Sequence, residues 1–303
     1  MITHKYHTLD VPVAGGQIRV GVWDPIAITE GAQVPSVLAV HGITSSHLAW
    51  PLVVAELPGA RVIAPDLRGR GSSNALPGPA GLRAHAADLV AVLDALDVDS
   101  APVVGHSMGG FVAVALAHAA PERVARLVLV DGGLPLDAPA GLSPEQLVAA
   151  ILGPTAERLS MRFASVAAYF DFWRDHPAFA GAWSPELETY LAYDLVPAGS
   201  ELRPATSLAT VTEDTIDMNS GSALPAALAT LGVSGPPVLF VSVPRGLRDE
   251  TPGLYAPAHL ERMLGAHPAI RHVRLGDLNH YTVVLAAEGA RALGEVLRAE
   301  LGE

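Results

Sequence analysis

Cysteine is absent from all 303 residues, which excludes disulfides, thiolate metal ligands and a cysteine nucleophile. Charged side chains make up only 17% of the chain, and 19 basic against 31 acidic residues leave a net charge of −12. That balance argues against nucleic acid or an anionic membrane as a partner, and it disfavours a highly anionic substrate. No uninterrupted apolar run approaches the length of a membrane span. The opening stretch MITHKYHTLDVPVAGGQ has no apolar signal-peptide core, so a soluble, cytoplasmic protein is expected. Also missing are H-E-x-x-H, histidine pairs at ligand spacing, a dinucleotide fingerprint and a phosphate loop, since GHSMGG lacks the required lysine. Neither a metal nor any other cofactor is therefore expected.

Apolar residues are plentiful, at half the chain, and suffice for a sizeable core. They fall into short runs that read as strands: Tyr6–Val13, Ile18–Trp23, Ser36–Val40, Arg61–Pro65, Pro102–Val104, Val124–Val130, Pro237–Val243 and Ile270–Leu275. Most are apolar throughout and alternate with helical patterns (Leu48–Glu56, Leu82–Leu96, the run after Ser107, Tyr255–Leu264, Glu288–Leu301). This predicts an α/β fold whose mostly parallel central sheet carries helices on both faces. The alternation stops between about Leu134 and Gly235. That stretch offers helical candidates (Pro144–Leu152, Ala156–Phe163, Val166–Arg174, Pro185–Leu191) and most of the aromatic residues. It reads as an insertion, giving a core of residues 1–133 and 236–303 and a helical cap of residues 134–235.

Residues 105–109 read Gly-His-Ser-Met-Gly, a G-x-S-x-G pattern between a strand signal and an alanine-rich helix signal. With 29 glycines in the chain the pattern alone is weak, but its strand-to-helix setting is what a nucleophile elbow requires. Such a turn is strained and crowded, so glycines flank the serine, and the hydroxyl projects at a helix N-terminus where backbone N–H groups favour negative charge.

Four segments in order (HGITSS at 41–46, DLRGRGSS at 66–73, GHSMGG at 105–110 and LNHY at 278–281) closely resemble the α/β-hydrolase fold superfamily, in the subgroup with a helical cap between the sixth and seventh strands. The resemblance covers about Val34 to Ala286, excluding the cap. It implies Ser107 as nucleophile and His280, in the loop after the last strand, as base. For the acid it offers two positions. Asp249, in a G-x-x-D turn two or three residues later than usual after strand Pro237–Val243, is favoured; Asp131, ending the preceding strand, is the alternative, with Glu250 further behind. The backbone N–H groups of Ile43 and Met108 are the expected oxyanion donors. His41 and His106 are expected to shape loops. Trp173, Trp183 and Phe170 of the aromatic-rich insertion are the expected substrate contacts, although such rings equally suit the insertion's own core.

A serine at 107 excludes relatives that use an aspartate nucleophile, the haloalkane dehalogenases and epoxide hydrolases. What remains is acyl transfer to water, with a small, fairly apolar ester or lactone as the expected substrate. C–C bond hydrolysis, thioester hydrolysis and perhydrolysis are variants on the same residues, and a hydrolase-fold binding protein with little turnover is the alternative of a different class.

Overall fold

The computed structural model describes residues 3–27, 34–137, 141–153, 157–231 and 235–302. Its main sheet has eight strands: β1 (His4–Val13), β2 (Gly16–Pro25), β3 (Ser36–Val40), β4 (Arg61–Pro65), β5 (Ala101–His106), β6 (Val124–Val130), and, after an intervening segment, β9 (Val238–Ser242) and β10 (Ile270–Arg274). Their spatial order is β1-β2-β4-β3-β5-β6-β9-β10. β1 and β2 pair antiparallel, β2 joins β4 antiparallel, and the other six strands are parallel.

The parallel strands are buried on both faces, and their side chains divide with period two. Leu38, Val103, Leu127, Leu129 and Phe240 join one core, while Val37, Ala39, Val104, Val128 and Val241 join the other. This is why they read as continuous apolar runs rather than as alternating ones. β10 differs: only Ile270 is buried, and Arg271, His272 and Arg274 decorate an edge where charge discourages pairing with another chain.

The helices α1 (Pro51–Ala55), α2 (Leu82–Ala95) and α3 (Met108–Ala119) link the early strands. Ten of the twelve residues of α3 are buried, as expected for a helix that is apolar all round. The chain then leaves the sheet to form α4 (Pro144–Leu152), α5 (Val166–Arg174), α6 (Pro185–Tyr193), the strands β7 (Leu195–Ala198) and β8 (Glu201–Pro204), α7 (Leu208–Ser220) and α8 (Ala223–Leu231). Ser143, Ser165, Ser184 and Ser207 cap four of these helices, each accepting an N–H from the first turn. Finally α9 (Pro257–Ala266), α10 (Thr282–Leu285) and α11 (Ala287–Leu301) complete the fold. Among the described residues no helix is long and apolar enough to cross a membrane.

The inserted segment departs from expectation in three ways. It contains an antiparallel ribbon, β7–β8. Phe163, expected to end a helix, instead exchanges backbone hydrogen bonds with Leu202 of β8 (2.8 and 2.9 Å); the first residue of that expected helix, Ala156, lies outside the described residues. Lastly, α8 buries Ala223, Leu224, Ala227, Leu228 and Leu231 in the same core as α3, so it covers the sheet, and the structural insertion ends before the expected boundary at 235.

β3 has β4 on one side and β5 on the other, so the strand order reverses between β3 and β5. The loops leaving the carboxyl ends of those strands therefore diverge around a crevice, the usual place for a ligand in an open α/β sheet.

Candidate active site

Ser107 sits between β5 and α3 with φ 55° and ψ −126°, a backbone conformation that a non-glycine residue adopts only when its surroundings hold it there. Two backbone bonds do so: Ser107 N–H donates to Val130 O (2.9 Å), and Gly110 N–H donates to Ser107 O (2.9 Å). The neighbours leave no room for side chains. A Cβ on Gly105 would lie 2.3 Å from Gly109 O, and one on Gly132 would lie 2.0 Å from Ser107 O.

His280 follows β10 and is buried. Its Nδ1 is 2.7 Å from Asp131 Oδ2, and the two side chains are 3% and 0% exposed. A carboxylate only accepts here, so the imidazole places a proton on Nδ1 and turns Nε2 away from Asp131 as the basic nitrogen. Asp131 is carried by the first residue beyond β6, with its N–H on Val241 O (2.7 Å).

Asp249, favoured from the sequence, is not the partner of His280. Its carboxylate pairs with Arg245 Nε (2.7 Å) and accepts from Asn279 Nδ2 (2.9 Å), and it is 37% exposed. Arg245 and Asn279, the residue before His280, thus engage its Oδ1. Glu250, the third candidate, accepts from the N–H of Arg248 and is likewise turned to the surface loop.

Two further histidines brace the site. His106 Nε2 donates to the carbonyl of His280 (2.8 Å), tying the residue before Ser107 to the loop that carries His280. Burial, aided by the neighbouring His280, pushes the His106 pKa well below its usual value. His41 Nδ1 donates to Gly42 O (2.8 Å), and its Nε2 accepts from Leu67 N–H (3.0 Å). Burial, with a smaller push from Arg70, lowers the His41 pKa to about 4 against a weaker opposing pull from Asp66. The Gly42 carbonyl and the Ile43 N–H belong to one trans peptide and point in opposite directions, so His41 fixes where that N–H aims.

These neutral histidines predict acid lability. The unfolded chain protonates each near pH 6.5, whereas the folded chain resists. The stability is therefore complete above the unfolded pKa and is lost as pH falls toward the folded one. For His41 the loss is about 2 kcal/mol by pH 5, and His106 adds to it in the same direction. Thermal melts at pH 7.5 and pH 5.0 should show a marked drop in Tm; superimposable curves would contradict this reading.

A pocket opens onto Ser107, His280 and Asp131. Gly42, Ile43, Thr44 and Ser45 line it together with Met108, and a Cβ on Gly42 would lie 3.1 Å from Ser107 Cβ, so the loop after β3 reaches the turn at Ser107. Leu136, Ile151, Met218, Leu247, Leu254 and Val284 form an apolar wall. Tyr190 Oη donates to Ser45 Oγ (3.2 Å), and burial raises its pKa, keeping the hydroxyl protonated. Among the described lining residues there is no Lys, Arg or Glu.

The expected contacts Trp173, Trp183 and Phe170 lie elsewhere. Trp173 is buried beneath the guanidinium of Arg158 (5.1 Å) and edge-on to Tyr169, Phe172 and Phe179. Trp183 stacks under Arg174 (4.7 Å), beside Phe170, and donates its Nε1–H to Glu188 (2.8 Å). Rings with cations and one another for partners have little reason to face a cavity. The aliphatic wall carries no sequence signal that separates it from ordinary core.

A family model described as the alpha/beta hydrolase fold matches residues 35–207. A 101-residue stretch is 42% identical to lipase LipV of Mycobacterium tuberculosis, covering 33% of this chain and 38% of that protein. A 109-residue stretch is 44% identical to 2-hydroxymuconate semialdehyde hydrolase of Pseudomonas sp. strain CF600, covering 33% and 37%. The aligned part thus spans little more than a third of either relative's length. Among solved structures, E-2-(acetamidomethylene)succinate hydrolase superimposes with a TM-score of 0.77 at 20% identity, over 99% of this chain and 100% of that one.

Proposed function

The chain belongs to the α/β-hydrolase fold family, and from that premise we propose that it is a serine hydrolase cleaving a small, uncharged, apolar carboxylic ester or lactone through an acyl-enzyme. The observation that carries this reading is the buried Asp131–His280 pair sharing one pocket with Ser107.

In this scheme Ser107 Oγ attacks the carbonyl carbon while His280 Nε2 takes the hydroxyl proton, and Asp131 holds the imidazole in the required tautomer. The tetrahedral oxygen is received by the N–H groups of Ile43 and Met108, where a single fixed donor is worth roughly 10²–10³ in rate. His280 then passes its proton to the departing alkoxide, and water repeats the sequence on the acyl-enzyme. The inserted segment acts as a cap, supplying Leu136, Ile151, Tyr190 and Met218 to the pocket.

The pocket wall also bears on the substrate. A dioate or another carboxylate-bearing substrate needs a cationic partner once desolvated, and the described lining offers none. That favours neutral esters and lactones over the anionic substrates of C–C bond hydrolases. A fluorophosphonate should add once to the wild type, at Ser107, and should leave Ser107→Ala unmodified by intact mass. Absence of an adduct together with no hydrolysis of short p-nitrophenyl esters would sink the proposal. A panel of neutral esters, lactones, thioesters and a carboxylate-bearing diketone should rank the neutral esters and lactones first.

A further inference from the structure

We propose that Arg70 is a positioning residue for the oxyanion hole and that Asp214, on α7 of the inserted segment, locks it in place. The inference rests on the acyl-enzyme reading above and assigns work to two residues outside the triad.

Arg70 lies between two glycines in the loop after β4, and its side chain is completely buried. Its donors are distributed over four elements. Nε donates to Ile43 O (2.8 Å), Nη1 donates to Arg68 O (2.9 Å) and forms an ion pair with Asp214 Oδ2 (2.6 Å), and Nη2 reaches Met108 Sδ (3.7 Å). One guanidinium thus touches both residues whose amides are assigned to the tetrahedral oxygen.

The division of contacts has a geometric consequence. His41 holds the peptide that contains the Ile43 N–H, through the carbonyl of Gly42. Arg70 holds the next peptide, through the carbonyl of Ile43. Two successive planes are then fixed, and the dihedrals at Ile43 have little freedom to swing its N–H out of line. A lysine offers a single nitrogen and cannot reproduce this fork.

Asp214 completes the arrangement. It is fully buried, and its Oδ1 accepts from Gly81 N–H (2.7 Å) and contacts His85 Nε2 (3.0 Å). Burial alone would favour its neutral form, but Arg70 first and then His85 outweigh that and hold the carboxyl below the usual carboxylate range. The charge on Arg70 is balanced by a residue of the inserted segment. Placement of α7 is thereby coupled to the loop that receives the developing negative charge. A buried ion pair is weak evidence for stability, because apolar residues of similar volume often serve as well. A geometric duty at Ile43 and Met108 is what the pair supplies that an apolar replacement lacks.

The test uses the full chain in three forms: wild type, Arg70→Lys, and the double variant Arg70→Met/Asp214→Leu. Arg70→Lys keeps a cation opposite Asp214 while losing the fork, and should lower kcat by roughly 10–100-fold with KM within about threefold, as expected for a misplaced oxyanion donor. The double variant removes both charges but leaves the Gly81 N–H and the His85 ring without their acceptor, so its Tm should fall by several degrees; the folded protein should show the same loss of kcat and of fluorophosphonate inactivation rate. Affinity for an alkyl boronic acid, which mimics the tetrahedral state, should weaken in parallel with kcat. Wild-type rates in Arg70→Lys, or in the folded double variant, overturn the inference and leave the pair a structural one. If the double variant does not fold, the kcat and boronate readouts of Arg70→Lys decide. A wild type that fails to label overturns the acyl-enzyme reading itself, an outcome distinct from labelled variants that react normally.

Discussion

Asp131→Asn is expected to lower kcat by about 10⁴-fold with little change in KM, whereas Asp249→Asn should leave both within about threefold. The asymmetry follows from what each carboxylate touches. Asp131 meets only the Nδ1 side of His280 with its Oδ2, at 2.7 Å in a buried setting. An asparagine there presents either an amide NH₂, which cannot accept the Nδ1 proton, or a weaker neutral oxygen. The imidazole then shifts toward the tautomer protonated at Nε2, which cannot take a proton from Ser107. Asp249 is engaged by Arg245 (2.7 Å) and Asn279 (2.9 Å), and Arg245 also bonds Asp277, so its loss leaves the guanidinium with a partner. Steady-state kinetics on a short p-nitrophenyl ester check the ranking. A large loss in Asp249→Asn with Asp131→Asn near wild type would overturn it.

The acid illustrates where sequence reading stops. Asp131 and Asp249 follow adjacent parallel strands, β6 and β9. Each is a carboxylate in the loop after its strand, each has a positive φ, and either suits a turn leading out of the sheet. Which one meets His280 depends on side-chain direction and on the competing pull of Arg245, and no spacing rule encodes either. The strands were legible for a simpler reason: parallel strands covered on both faces are apolar at nearly every position, and SVLAV, VARLVLV and PVLFVSV each carry a single polar residue. The turn at Ser107 was legible because glycine is required at several of its close approaches. The inserted segment was less so. Its serine-capped helices follow local chemistry, but α8 carries the composition of any apolar helix, and only its packing against α3 shows that it covers the sheet. The aromatic residues misled because a ring-rich stretch has two outlets, a cavity or a private core. Arg158, buried with Asp194 and Tyr169, drew the rings inward.

Gly109→Ala should be among the most damaging single-methyl changes in the chain. Gly109 lies in the first turn of α3 with an ordinary helical backbone, so intrinsic propensity alone favours alanine by about 1 kcal/mol. Packing reverses the sign. The added Cβ would lie 2.0 Å from Val40 O, 2.6 Å from Val40 C and 2.8 Å from His41 O. All three are backbone atoms of β3 or of the residue just beyond it, and β3 is hydrogen-bonded to strands on both sides, so neither partner yields without moving the sheet. A net loss of about 4 kcal/mol, equivalent to roughly 10 °C in Tm, is expected, with much of the protein insoluble. Because α3 begins at the residue after Ser107, any helix shift that relieves the clash also displaces the serine from His280, so activity should fall further than the folded fraction. Gly265→Ala provides the opposite case in α9, where nothing lies within 4 Å of the new methyl; there propensity acts alone and Tm should rise by a few degrees. Equal melting temperatures for Gly109→Ala and the wild type would mean that α3 and β3 do not approach as closely as described, and the placement of Ser107 against the loop after β3 would fall with it.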